Sequence, residues 1–424
     1  MWGATGYYKY LTTLFVQIEG LRCQIASDHR NIGRRAVFMH GAGRFCGKQL
    51  TTGVIMKSNA RWMVALAVVL GASLSVNTVL AGGQSLDAQQ RAAEAARAKD
   101  PAWKPACTEV ATIQAGDGKG SLKNFCLNAE GNILACYAPA NAKNSDPKKA
   151  QGIRVYSPDG NLIKTMPLEI KPSAICVAKD GSIFAAGDGK LLKLDADGKV
   201  LASVASPVAS LQVVMDKDTL KMVEDMCKET KQPVKDATAN MKQSLEKRRT
   251  DVTGVAATDQ DVFMAVPSPT DFTYRVYRFD HELKNQKLVV EKLRGCCSQM
   301  DIQAANGNLW IPHNSRHAVE SHDRDGKELL KFGTAGRVKA SDFGGCCEPK
   351  NMRVLANGDI LAAESGPPTC IKRFSSTGKF KEVVAVANAK GDCVRVTVEM
   401  SPDGSRYYML DTQRDVIRVF KSKS

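Results

Sequence analysis

Five cysteines in the second half of this chain recur at one distance from a glycine. Cys296 and Cys297 stand eleven and ten positions before Gly307. Cys346 and Cys347 stand twelve and eleven before Gly358, and Cys393 stands eleven before Gly404. A thiolate is a soft ligand and a nucleophile, so converging sulfurs suit Cu(I), Zn or redox chemistry. In an oxidising compartment the same sulfurs join as disulfides. Adjacent cysteines often send their sulfurs to different partners. The two pairs, with Cys393 and Cys227, therefore also suit a chain of bridges, and both readings stand. His313, Glu364 and Asp411 recur at the matching point beyond the same glycines. They are the side chains that a divalent metal ion would use. Metal, divalent or soft, is the one cofactor class these residues admit. His313, His317 and His322 crowd into one repeat and cannot converge as a ring of ligands. No Cys-x-x-Cys, Ser/His/Asp spacing, phosphate loop or haem-attachment motif is present.

The elements that must position these residues form a repeat. Gly307-Asn308-Leu309-Trp310-Ile311-Pro312 with its Asp325-Gly326-Lys327 turn corresponds to Gly358-Asp359-Ile360-Leu361-Ala362-Ala363 with its Thr377-Gly378-Lys379 turn. The spacing is about fifty residues, the period of propellers rather than helical arrays. One such unit cannot bury its apolar face alone, so units must stack. Short apolar segments broken by Asp-Gly and Asn-Gly turns predict six units. The first three run over 122–168, 172–204 and 252–290, the fourth and fifth are the pair above, and the sixth is 394–420. The sixth holds only three strands: 394–400, 407–410 and 416–420. A spare strand at 108–113 is expected to complete it, closing the ring and leaving no open edge. Residues 216–249 carry a helical period (Leu220, Met222, Val223, Met226, Cys227) and are split by Pro233, which predicts a two-helix insertion, about 214–249, between units two and three. In four-stranded blades, the loops between blades share a face with those between second and third strands. The clustered cysteines, Cys227, His313, Glu364 and Asp411 all fall on that face. Cys126 and Cys176 fall on innermost strands, as small buried hydrophobes of the channel wall.

The start of the chain reads as processing. Residues 56–61 are a basic opening, Trp62 to Leu80 an apolar stretch, and Ala81 a small residue before Gly82. Residues 56–81 are expected to be a signal peptide, and the protein to be secreted or periplasmic. The alternative is an uncleaved helical anchor. Residues 1–55 show no period and read as a mis-assigned start, and 82–105 as an Ala-rich helical tether. The formal net charge is +15, but residues 1–81 carry nine Lys or Arg and two acids, hence +7. The remaining +8, without an aromatic nucleic-acid motif or a basic run, argues against nucleic acid as partner. Of thirteen cysteines, Cys23 and Cys46 precede residue 56, which leaves eleven. An odd number means at least one sulfur is not in an internal disulfide.

The segment from Tyr408 to Phe420, with Asp411, Arg414, Arg418 and Phe420 in place, resembles the NHL-repeat family. So do Ile360-Leu361-Ala362-Ala363-Glu364-Ser365 with Ile371-Lys372-Arg373-Phe374, and Lys331-Phe332-Gly333-Thr334-Ala335-Gly336 leading to Phe343 and Pro349. The resemblance implies an all-β, six-bladed propeller that binds a protein, peptide or glycan on its loop face without catalysis. Gluconolactonase-type hydrolases and propeller lyases resemble the same fold and hold metal on several blades. For that alternative only His313, Glu364 and Asp411 qualify by position. The first three units offer Tyr137, Gly187 and Val266, which are poor ligands.

Overall fold

The computed structural model describes residues 86–140, 150–295, 299–389 and 393–423. The expected signal peptide, the leader before it, Cys296 and Cys297 lie outside these residues. Six four-stranded antiparallel sheets form six blades. Blade 1 is Leu122–Leu127, Ile133–Tyr137, Gly152–Tyr156 and Leu162–Pro167. Blade 2 is Ala174–Val177, Ile183–Gly187, Lys190–Leu194 and Val200–Ala205. Blade 3 is Gly254–Ala257, Asp261–Pro267, Thr273–Asp280 and Lys287–Arg294, ending four residues beyond its pattern. Blade 4 is Gln303–Ala305, Asn308–His313, Ala318–His322 and Glu328–Phe332. Blade 5 is Asn351–Val354, Ile360–Glu364, Thr369–Phe374 and Phe380–Ala387.

Blade 6 combines Val398–Met400, Arg406–Asp411 and Val416–Ser422 with the early strand Cys107–Ile113, which pairs with Val416–Ser422. The expected closure is therefore present. Its innermost strand begins at Val398 rather than 394, because Arg395 and Thr397 turn to the channel mouth. Two helices, Lys217–Thr230 and Val234–Arg248, stand between blades 2 and 3 and meet at Pro233.

The apolar alternation explains the ring. Second strands such as Ile360–Glu364 are buried throughout, whereas fourth strands alternate, as in Val200–Ala205. A strand buried on both faces needs a neighbour on each side. Six apolar clusters result, one at every blade interface. The cluster of Ile113, Phe125, Tyr408 and Ile417 joins blade 6 to blade 1. Turn glycines also set the spacing between blades. Gly326 has φ +92°, and a Cβ there would meet the Val289 carbonyl oxygen of blade 3. Only glycine allows both the turn and the approach.

By internal contacts, residues 100–224 with 233–423 form one compact unit. Residues 86–99 with 225–232 belong to a second. The second is helical: Leu86–Lys99 and the end of the first insertion helix. Among the described residues no helix is long and apolar enough to cross a membrane.

Candidate functional site

The channel mouth on the loop face is built by the residues that lead into the innermost strands. Thr397 Oγ1 donates to Asn124 Oδ1 at 2.7 Å, and Asn351 Nδ2 donates to Asp301 Oδ2 at 2.5 Å. The Val398 amide donates to Asn351 Oδ1 at 2.9 Å. Arg395 then crosses from blade 6, donating to the Ser173 carbonyl at 2.8 Å and to the Thr253 carbonyl. The mouth is strapped by one guanidinium whose partners lie on two other blades. Further in, Arg353 Nε meets Glu399 Oε1 at 2.7 Å. Cys126 and Cys176 lie on the innermost strands, and Cys136 on a second strand. Burial pushes the Cys136 and Cys176 thiols up to about 12. They stay protonated and inert.

His313 and Asp411 are committed internally. His313 is 2% exposed. Its Nε2 accepts the Arg294 amide at 2.9 Å, and its Nδ1 meets Glu320 Oε2 at 3.0 Å. The amide can only donate, so the ring proton sits on Nδ1 and points at Glu320. Glu320 also holds Lys331 at 2.7 Å. Asp411 Oδ2 holds Arg418 Nη2 at 2.7 Å, and its Oδ1 accepts the Gln413 and Arg414 amides. Arg418 extends the pair to Glu109 of the closing strand at 2.8 Å. Asp411 thus belongs to blade closure.

The buried histidines give a pH expectation. Burial lowers the His313 pKa despite Glu320, with Arg316 and Lys331 adding to the lowering. Burial also lowers that of His317. A histidine with a depressed folded pKa gives stability that is present above the unfolded value and lost as pH falls through it. Stability is therefore expected to decline as pH drops below about 6.5. His313→Gln should flatten that slope in urea titrations at pH 7, 6 and 5. An unchanged slope would show that His313 is not the group responsible.

Glu364 lies in a different place, between blades 4 and 5. Its Oε2 accepts the Gly344 amide at 2.7 Å, and its Oε1 pairs with Lys372. Lys372 donates to the Asp342 carbonyl at 2.5 Å and stands 4.9 Å from the Trp103 ring centroid. Next to this pair runs Cys346-Cys347-Glu348-Pro349-Lys350. Cys346 Sγ lies 3.2 Å from Cys347 Sγ and 3.2 Å from Cys393 Sγ, and Cys347 to Cys393 is 3.6 Å. These separations exceed an S–S bond of about 2.05 Å. Lys350 Nζ donates to Cys347 Sγ at 2.7 Å.

Glu348 is 1% exposed. Its Oε1 accepts from the Ser365 amide and hydroxyl and the Gly366 amide, at 2.8–3.0 Å. Its Oε2 has no hydrogen-bond partner among the described residues, a cost of about 1–3 kcal/mol for a buried acceptor. Burial first, then Glu364 and Cys347, push this carboxyl up to about 8 against Lys350. Cys227 lies on the first insertion helix and is not a member of the three-sulfur group.

Of the residues singled out by spacing, Cys346, Cys347 and Cys393 come together, and Glu364 shares their neighbourhood through Gly344 and Glu348. Sequence reasoning missed Arg395, Glu348, Lys350 and Lys372. For Lys350 a signal existed, since it stands three residues after Cys347.

A groove of about 290 Å³ opens on the loop face between blades 1 and 2. Lys123, Lys171, Ala138, Pro139 and Pro172 line it. Burial lowers the Lys123 pKa, against Asp415 and Asp117, and Arg395 and Lys171 lower it further. Three cations therefore share this corner.

No family model matches the chain, and no curated protein matches it. Solved structures do. A structural-genomics protein of unknown function from Bacteroides thetaiotaomicron is 12% identical, with 75% of this chain and 72% of that one covered and a TM-score of 0.47. A streptogramin B lyase is 11% identical, covering 74% of this chain and 97% of that one, with a TM-score of 0.44. A virginiamycin B lyase from Staphylococcus aureus is 10% identical, covering 74% and 99%, with a TM-score of 0.42. Likeness at this level transfers no activity to this chain.

Proposed function

We propose that this chain is an exported NHL-type propeller that binds a protein, peptide or glycan through its loop face and does no catalysis there. The strapped mouth carries this reading. Arg395 bridges three blades by hydrogen bonds, and the polar ring around it spends its groups on itself. The competing hydrolase or lyase needs ligands from several blades. His313 and Asp411, two of its three candidates, are already engaged. The export part rests on residues 56–81 alone.

The Lys123–Lys171 groove favours a ligand bearing carboxylates, such as an acidic peptide or a uronate-containing glycan. The full chain is expected to bind a poly-glutamate peptide or an oligogalacturonate. The Lys123→Glu/Lys171→Glu variant should lose about tenfold or more in affinity, the equivalent of 1.4 kcal/mol. Binding should weaken with salt. Equal affinity of variant and wild type for both probes would remove the groove from the reading. Lactone or glycan turnover that needs added divalent metal and is lost in Glu364→Gln would replace it with the enzyme.

A further inference from the structure

Cys346, Cys347 and Cys393 come from two loops and meet although 46 residues of chain separate Cys347 from Cys393. We propose that these three thiols are the ligands of a thiophilic d¹⁰ cation, Zn²⁺ or Cu(I), with Lys350 as the positioning cation beside them. This site is separate from the groove, and neither reading depends on the other.

Three observations carry it. First, the sulfurs form a near-regular triangle with edges of 3.2, 3.2 and 3.6 Å. Metal–sulfur bonds of about 2.3 Å reach all three corners from a point about 1.2 Å off their plane. That pyramidal geometry leaves one further position for Zn²⁺, and a planar three-coordinate Cu(I) site needs the triangle to open to edges of about 4 Å. Second, Lys350 is 2% exposed and aims its ammonium at Cys347 Sγ from 2.7 Å. A buried ammonium stabilises sulfur that carries negative charge, as a thiolate does and a disulfide sulfur does not. Third, the group holds three sulfurs among the described residues, an odd number for staples within it. A disulfide between any two leaves the third thiol within 3.6 Å, placed for exchange rather than for a stable crosslink. The neighbouring Glu348 Oε2, buried and without a hydrogen-bond partner among the described residues, adds a polar atom that bonding inside the protein leaves unsatisfied.

The chemistry balances without any oxidant. Each thiol releases its proton as its sulfur bonds the ion, so three protons leave and no electron moves. Three thiolates on Zn²⁺ carry one net negative charge, which the Lys350 ammonium offsets, and on Cu(I) two, of which it offsets one. Affinity for either ion should therefore rise with pH.

The test uses the full chain, reduced and purified without oxygen. It is loaded with Zn²⁺ in one arm and with Cu(I) under reductant in the other. Metal analysis should find one equivalent of at least one ion retained after desalting. Peptide mapping after alkylation should show Cys346, Cys347 and Cys393 protected together in the loaded protein and modified together in the metal-free protein. This readout needs no variant. Cys346→Ser/Cys393→Ser should lose the metal, and Cys136→Ala should keep it. Lys350→Met should weaken binding by about 10–100-fold, the usual size for a group that supports a ligand. Which arm loads identifies the ion. Failure of both ions to protect the three thiols would overturn the proposal. So would a disulfide joining any two of them in protein isolated without reductant, or full metal retention in the double variant.

Discussion

Lys372→Met is expected to cost about 3–5 kcal/mol of folding stability, the loss that follows when one member of a buried ion pair is removed. Lys372 is fully buried and Glu364 is 3% exposed. Their contact joins the third strand of blade 5 to the end of its second strand. Without the ammonium, Glu364 keeps the Gly344 amide and a 4.0 Å contact from Cys370. That is too little to hold a carboxylate away from water. The Asp342 carbonyl and the Trp103 ring also lose their cation.

The double variant Lys372→Met/Glu364→Gln removes both charges. It should regain part of the loss, with a coupling of about 0.5–3 kcal/mol in the cycle. Urea titration of wild type, both single variants and the double gives the four numbers needed. A Lys372→Met loss under about 1 kcal/mol would mean the pair acts as an exposed one. The Lys372–Glu364 contact would then add little to the stability of blade 5.

The ring was legible in the sequence because its signals are local. Asp-Gly and Asn-Gly turns, strand alternation and a strand count that fell one short all lie within a few residues of each other. The insertion was legible for the same reason: Val223 and Cys227 are buried at helical spacing. The convergence of Cys346, Cys347 and Cys393 followed from using turn glycines as a ruler along equivalent blades. Bonds between distant segments were not legible. Arg395 reaches Ser173, 222 positions away, and nothing near Arg395 in sequence names that partner. His313 looked like a ligand because its repeat position matched Glu364 and Asp411. What engages it is the register of its hairpin, which sets Glu320 on the facing strand. Glu348 and Lys372 carry no such local signal, because burial of a charge shows only in three dimensions.

A chain lacking residues 1–113 should fail to fold as a monomer, whereas one lacking residues 1–99 should unfold cooperatively like the full protein. The difference is the closing strand. Cys107–Ile113 pairs with Val416–Ser422 from Cys107 opposite Ser422 to Ile113 opposite Ile417. Cys107 enters the core between blades 5 and 6, and Ile113 the core between blades 6 and 1. Glu109 meets Arg418, which is 1% exposed. Removing the strand uncovers a row of backbone donors and acceptors along Val416–Ser422, opens two cores and leaves Arg418 with one carboxylate instead of two. An exposed edge of this kind recruits other chains. The expected products are dimers and aggregates, seen by light scattering, and the loss approaches the whole stability of a domain, about 5–15 kcal/mol. Asp415 gives a finer probe of the same seam. Its carboxylate accepts the amides of Gly120, Ser121 and Leu122 at 2.6–3.1 Å, tying blade 6 to the start of blade 1. Asp415→Ala should therefore lose at least about 1.5–3 kcal/mol while leaving the protein monomeric. If the chain without residues 1–113 stays monomeric and melts like the full protein, the ring does not owe its stability to closure. The six interfaces within residues 114–423, two of them opened, would then have to be sufficient, as in an open solenoid, where each unit answers only to its neighbours.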